Sequence, residues 1–155
     1  MPTNAKHYPG ELATPEQVFL LAEQYRSAAA HLLEQGKPRS PLSRAPFRLV
    51  AIHAIELHLN ALLLHCGKPA SELRGLQHNL QSRLDLAEAC GLKLRLKTRQ
   101  HIVALVDTRE YLVTRYGPEL ASSVSQINRL TATLDEVAKK VAVLMARPAT
   151  PVPVG

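Results

Sequence analysis

Phe47-Arg48-Leu49-Val50-Ala51-Ile52-His53-Ala54-Ile55-Glu56-Leu57-His58-Leu59-Asn60-Ala61-Leu62-Leu63-Leu64 is apolar on nearly every side when wound at 3.6 residues per turn. A helix with no continuous polar stripe belongs in the middle of a domain, wrapped by other helices. The turn Ser40-Pro41-Leu42-Ser43-Arg44-Ala45-Pro46 leads into it, so the helix is expected from about Ser43 to Cys66, stopping at Gly67. A helix of that length can also cross a bilayer. Arg48, His53, Glu56, His58 and Asn60 make insertion into lipid costly. The reading is therefore a core helix and not a membrane span.

The flanking segments supply the wrapping. Thr14-Pro15-Glu16-Gln17 is a helix start with a capping residue, a proline in the first turn and the partner of a capping box. Val18, Leu21, Ala22, Tyr25, Ala28, Ala29, Leu32 and Leu33 follow at steps of three and four, and Gly36-Lys37-Pro38 ends that helix near Gln35. Downstream, Pro69 to Arg74 fits one short helical turn, and a helix from about His78 to Cys90 carries Leu80, Leu84 and Ala87 inward. Gly91 suits the left-handed cap, with Leu92 folding back on the helix. Leu92 to Lys97 alternates apolar and basic residues like a strand but has no partner strand, so it reads as an extended segment or helix entry. A fourth helix is expected from Thr98 to Tyr116, stopped by Gly117-Pro118. A fifth runs from Glu119 or Ser122 to Met145, with Ile127, Leu130, Leu134, Val137, Val141 and Leu144 as one apolar seam, open to packing inside the bundle or across a dimer. The expected architecture is all-α: an up-and-down bundle of about five helices over residues 14–146 with a short extra turn. Residues 1–13 form a flexible arm, and the Pro-rich residues 147–155 a disordered tail.

Composition narrows the function classes. The 155 residues, 46% hydrophobic and 21% charged, suit one ordinary domain. Such a chain buries about two thirds of its unfolded surface without staples. Two cysteines far apart in sequence, Cys66 and Cys90, exclude a disulfide scaffold and a four-cysteine zinc site. No secretory-type apolar stretch opens the sequence, so a cytoplasmic location is expected. The net charge of +6 is concentrated. Lys37, Arg39, Arg44 and Arg48 lie in one acid-free window, and Lys93, Arg95, Lys97 and Arg99 in another. Clustered cations attract phosphates, and Arg44, Arg48, Lys93, Lys97 and Arg99 are the candidate phosphate contacts. With aromatics at 4% and no tryptophan, a base-stacking platform is not expected.

Chemistry-bearing constellations are few. His53, Glu56 and Asn60 share a helix face, but the His-x-x-Glu order occurs once with no facing carboxylate set, so no metal and no cofactor is expected. Glu56, inside an apolar helix, needs a partner, because an unpaired buried carboxylate is costly. His78 is the first candidate and Arg74 the second, making a structural polar lock. Walker loops, GxGxxG and GxSxG elbows are absent. Arg95 and His101 remain: a cation to hold a phosphate and an imidazole to move its protons, on neighbouring helix turns.

Ala51-Ile52-His53-Ala54-Ile55-Glu56-Leu57, then Leu62-Leu63-Leu64 with Gly67, then Leu73-Arg74-Gly75-Leu76-Gln77-His78-Asn79-Leu80, form an ordered pattern. With Gly91-Leu92 and Tyr111-Leu112-Val113-Thr114-Arg115-Tyr116-Gly117-Pro118, that pattern resembles the HEPN (higher eukaryotes and prokaryotes nucleotide-binding) superfamily over about residues 14–146. The resemblance implies an α-helical bundle, commonly a homodimer. It also implies one of two activities. Many members are metal-independent ribonucleases of toxin–antitoxin, phage-defence or RNA-processing systems, carrying Arg-x4–6-His; Arg95 and His101 have that spacing, with Leu96 where a polar residue is usual. Others are non-catalytic and bind nucleotides or a partner protein. The expected function is the second: a self-associating helical module that binds a nucleotide, RNA or a cognate protein through its basic surface. The ribonuclease using Arg95 and His101 is the alternative.

Overall fold

The computed structural model describes residues 6–148. Seven α-helices follow in order: α1 Pro15–Gln35, α2 Ala45–His65, α3 Ala70–Gly75, α4 Leu80–Ala89, α5 Leu96–Asp107, α6 Glu110–Tyr116 and α7 Ile127–Met145. Short 3-10 turns at Pro41–Arg44 and Pro118–Leu120 lead into α2 and out of α6. Among the described residues there is no strand.

The middle rod is where its sequence requires. Phe47, Ala51, Ala54, Ile55, Leu59, Leu62 and Leu63 are almost fully buried. The helix packs against α1, α4, α6 and α7. Pro41–His65 is long and apolar enough to cross a membrane, with a mean hydropathy of 1.5, but 72% of that window is buried by the other helices. The apolar seam of α7 packs inward: Leu130, Leu134, Val137 and Val141 join the same core as α2. Of the two packings its sequence allows, the bundle interior is occupied.

Local chemistry sets the ends. Thr14 accepts from the Gln17 N–H at 3.1 Å while Gln17 Oε1 accepts from the Thr14 N–H at 2.9 Å, a complete capping box. Asn79 Oδ1 accepts from the Ser82 N–H and starts α4. Gly91, at φ +102°, closes α4 with a Leu92 N–H to Ala87 carbonyl bond of 3.0 Å, which folds Leu92 into the core.

Two expected boundaries are corrected. The helix expected over 98–116 is two helices, broken at Thr108-Arg109. Thr108 Oγ1 donates back to the Ala104 carbonyl, and Arg109 takes the left-handed conformation at φ +51°. No glycine or proline marks that break. The buried Glu110 carboxylate, which accepts three hydrogen bonds from Arg48 and Ser125, anchors the start of the new helix. The helix expected from 119 or 122 begins at Ile127, because Ser125 is tied to Glu110 and a 3-10 turn occupies 118–120. The expected arm and tail lie partly at residues 1–5 and 149–155, outside the described residues.

Candidate functional site

Three polar clusters sit on or in the bundle. The first surrounds Glu56 on α2. His78 Nδ1 lies 3.2 Å from Oε1, His53 Nδ1 3.4 Å from Oε2, and Arg83 Nη2 3.5 Å from Oε1. Burial opposes ionisation of Glu56, yet these neighbours hold its pKa below the ordinary value. The structure thus brings Glu56 and His78 together. It places Arg74 elsewhere, over the Tyr8 ring at 4.6 Å. Arg83, not singled out from the sequence, takes the interior position. It is 3% exposed, donating to Asn60 Oδ1 at 2.7 Å and to the Asn79 and Leu73 carbonyls.

The second cluster is interior. Glu110, fully buried, accepts from Arg48 Nη1 at 3.2 Å, from the Ser125 N–H at 2.8 Å and from Ser125 Oγ at 3.2 Å. Arg48, placed among the phosphate contacts by its sequence window, is instead 8% exposed and paired. His101 lies close by, with Nδ1 2.7 Å from Thr133 Oγ1 and Nε2 buried without a partner. Burial, with Arg129 and Arg48 nearby, pushes its pKa down to about 4. Arg95 is exposed at the start of α5 and its side chain has no hydrogen bond to His101. Arg95 is the extended residue before α5 and stands in solvent, whereas the His101 ring is buried at 6% exposure.

The third cluster is the segment joining α4 to α5. Glu136 on α7 accepts from the Arg95 N–H at 2.7 Å, Thr98 Oγ1 at 2.6 Å and Lys140 Nζ at 2.9 Å. Lys140 also donates to the Lys93 carbonyl at 2.6 Å. Burial works against ionisation of Glu136, but these donors hold its pKa below the usual value. The backbone is thereby pinned to α7 while the Lys93, Arg95 and Lys97 side chains stand exposed. Among the described residues none of the three has an acidic partner. Arg99 is different: its Nε is 3.1 Å from Glu88, and Asp85 is 3.7 Å away. Arg44 packs its stem against Gly36 and buries its Nε without a partner.

Other chemistries find little support. Among the described residues no group of three or more His, Cys, Asp or Glu side chains is arranged to hold a metal ion. Cys66 and Cys90, distant in sequence, cap α2 and α4. Burial, and hydrogen bonding between the two thiols, push Cys66 up to about 12, which suppresses the nucleophilic thiolate. No family model, curated protein or solved structure matches the chain.

Proposed function

We propose that the chain is a non-catalytic, HEPN-like helical module that self-associates and binds RNA through the segment joining α4 to α5. The observation that carries this reading is the set of exposed, acid-free cations Lys93, Arg95 and Lys97 on a backbone held to α7 by Glu136 and Lys140. A pinned backbone presents the three charges with little further backbone ordering when a phosphate strand arrives. No Phe, Tyr or Trp lies between Cys90 and Glu110 and the His101 ring is buried, so the contacts are to phosphate and not to stacked bases. A ribonuclease built on Arg95 and His101 has weaker support. His101 is 6% exposed, bonded to Thr133, and too weak a base at neutral pH. For self-association, Leu20 and Leu21 on α1 are 64% and 47% exposed, an apolar surface for a second copy.

The test is fluorescence anisotropy of a labelled RNA over a range of salt. Three neutralised phosphates give a log–log slope near −2, at about −0.7 per phosphate on a single strand. The triple variant Lys93→Glu, Arg95→Glu, Lys97→Glu should lose binding while keeping its helical circular dichroism. Salt-independent binding, or full binding by the triple variant, would contradict the reading. RNA cut in the presence of chelator and spared by His101→Ala would favour the nuclease. Light scattering of the purified chain should give a dimer mass.

A further inference from the structure

Between the start of α2 and α6 lies a groove of about 200 Å³, walled by Leu42, Val113, Pro118 and Val124. Leu42 is 57% exposed, and Tyr116, on the rim, is 75% exposed. Two cations line this apolar space, and no carboxylate does. Arg115 is exposed and has no ion pair among the described residues. Arg48 is buried, and its Nη1 is engaged by Glu110 at 3.2 Å. The Nε and Nη2 of Arg48 have no protein acceptor among the described residues, yet they are not sealed from solvent. Arg48 is itself one of the residues that line the groove.

We propose that this groove binds a small organic carboxylate with a single-ring or branched aliphatic body, its anion on Arg48 and Arg115 and its body between Leu42, Val113 and Val124. The planar guanidinium matches a carboxylate with two parallel donors. Arg48 is ion-paired with Glu110, so Arg115 supplies the uncompensated charge on the groove's lining. Arg44 adds a further cation near Arg48. The two repel enough to help burial lower the Arg48 pKa, which is relieved when an anion arrives. The volume of about 200 Å³ suits a body of about one ring. This site is separate from the α4–α5 segment, and neither proposal depends on the other.

The test titrates isotope-labelled protein with benzoate, benzyl alcohol and benzylamine, which share a ring and differ in charge. Benzoate should saturate, shifting the backbone amides of Val113 and Val124, while benzylamine should leave them unmoved. Arg115→Gln should weaken benzoate roughly tenfold, the effect of losing a charge-assisted hydrogen bond. An Arg48 variant leaves Glu110 unpaired and endangers the fold, so Ala121→Trp serves as the second probe. It fills the groove with both arginines intact and should abolish the benzoate shifts. Benzylamine binding as well as benzoate, benzoate failing to saturate, or benzoate binding unchanged in both variants would overturn the proposal.

Discussion

His58 and His101 are enclosed histidines, each with a carboxylate and arginine nearby, and in both burial prevails. The His58 ring is 0% exposed, edge-on to Phe19 at 5.3 Å, and neither nitrogen has a hydrogen-bond partner. Glu23 lies 3.4 Å from its Nε2 and would favour the imidazolium, but Arg26 sits on that same carboxylate and burial prevails. Both histidines fall from 6.5 to about 4 in the folded chain. The unfolded chain therefore takes up protons first as pH drops below 6.5. Stability from these two groups is complete above that value and is lost down to about pH 4, by roughly 3 kcal/mol each. His58→Phe keeps the packing with Phe19 and removes one of the two groups. Its urea midpoint should fall less steeply than that of the parent between pH 6.5 and 4; parallel profiles would refute the assignment. Glu110 makes the complementary case. Glu110→Ala strands the Arg48 guanidinium and the Ser125 N–H in the interior, and should cost about 3–5 kcal/mol in urea unfolding.

Helix boundaries separate what local chemistry writes into the sequence from what it does not. The Thr14–Gln17 box and the Gly91 cap are readable because each needs particular residue types at fixed offsets. The break at Thr108-Arg109 is not, because its cause is tertiary: Glu110 is drawn inward to Arg48 and Ser125, sixty-two and fifteen residues away. Arg109 then adopts a conformation that costs an L-residue about 1–2 kcal/mol. Arg109→Gly should relieve it and raise stability by about 0.5–1 kcal/mol, after the entropy that glycine loses on folding. Gly91→Ala at φ +102° should do the reverse, lowering stability by about 1 kcal/mol or more. Thermal unfolding followed by circular dichroism measures both, and equal signs would show that backbone strain is not the controlling factor.

Across the whole molecule, charge burial follows one rule that the sequence states only in part. A charged residue on an all-apolar helix must meet its opposite. The rule finds His78 for Glu56 at short range, and it requires an acid for Arg48, but which acid is settled only by the fold, sixty-two residues away at Glu110. Density of charge in a window does not separate Arg48, turned inward, from Lys93, Arg95 and Lys97, turned outward, because windows carry no face. Buried or nearly buried acids take up Arg48, Arg83 and Lys140, the half-exposed Asp135 takes up Arg26, and the exposed remainder gives the surface its positive character. The same distribution orders local stability. α2 is packed by α1, α4, α6 and α7, whereas α3 has six residues and α6 seven, each with a single fully enclosed side chain. Amide exchange should therefore be slowest in α2 and the inner face of α7, close to the global unfolding limit, and fastest in α3 and in residues 118–124, before the Ser125 N–H held by Glu110. α6 should exchange at an intermediate rate, because its two ends differ. Glu110 is locked to Arg48 and Ser125, while Tyr116 is solvent-exposed beside the groove. If the α6 amides instead exchange as slowly as those of α2, the two helices open as one unit, and the wall of the groove is as rigid as the core it rests on.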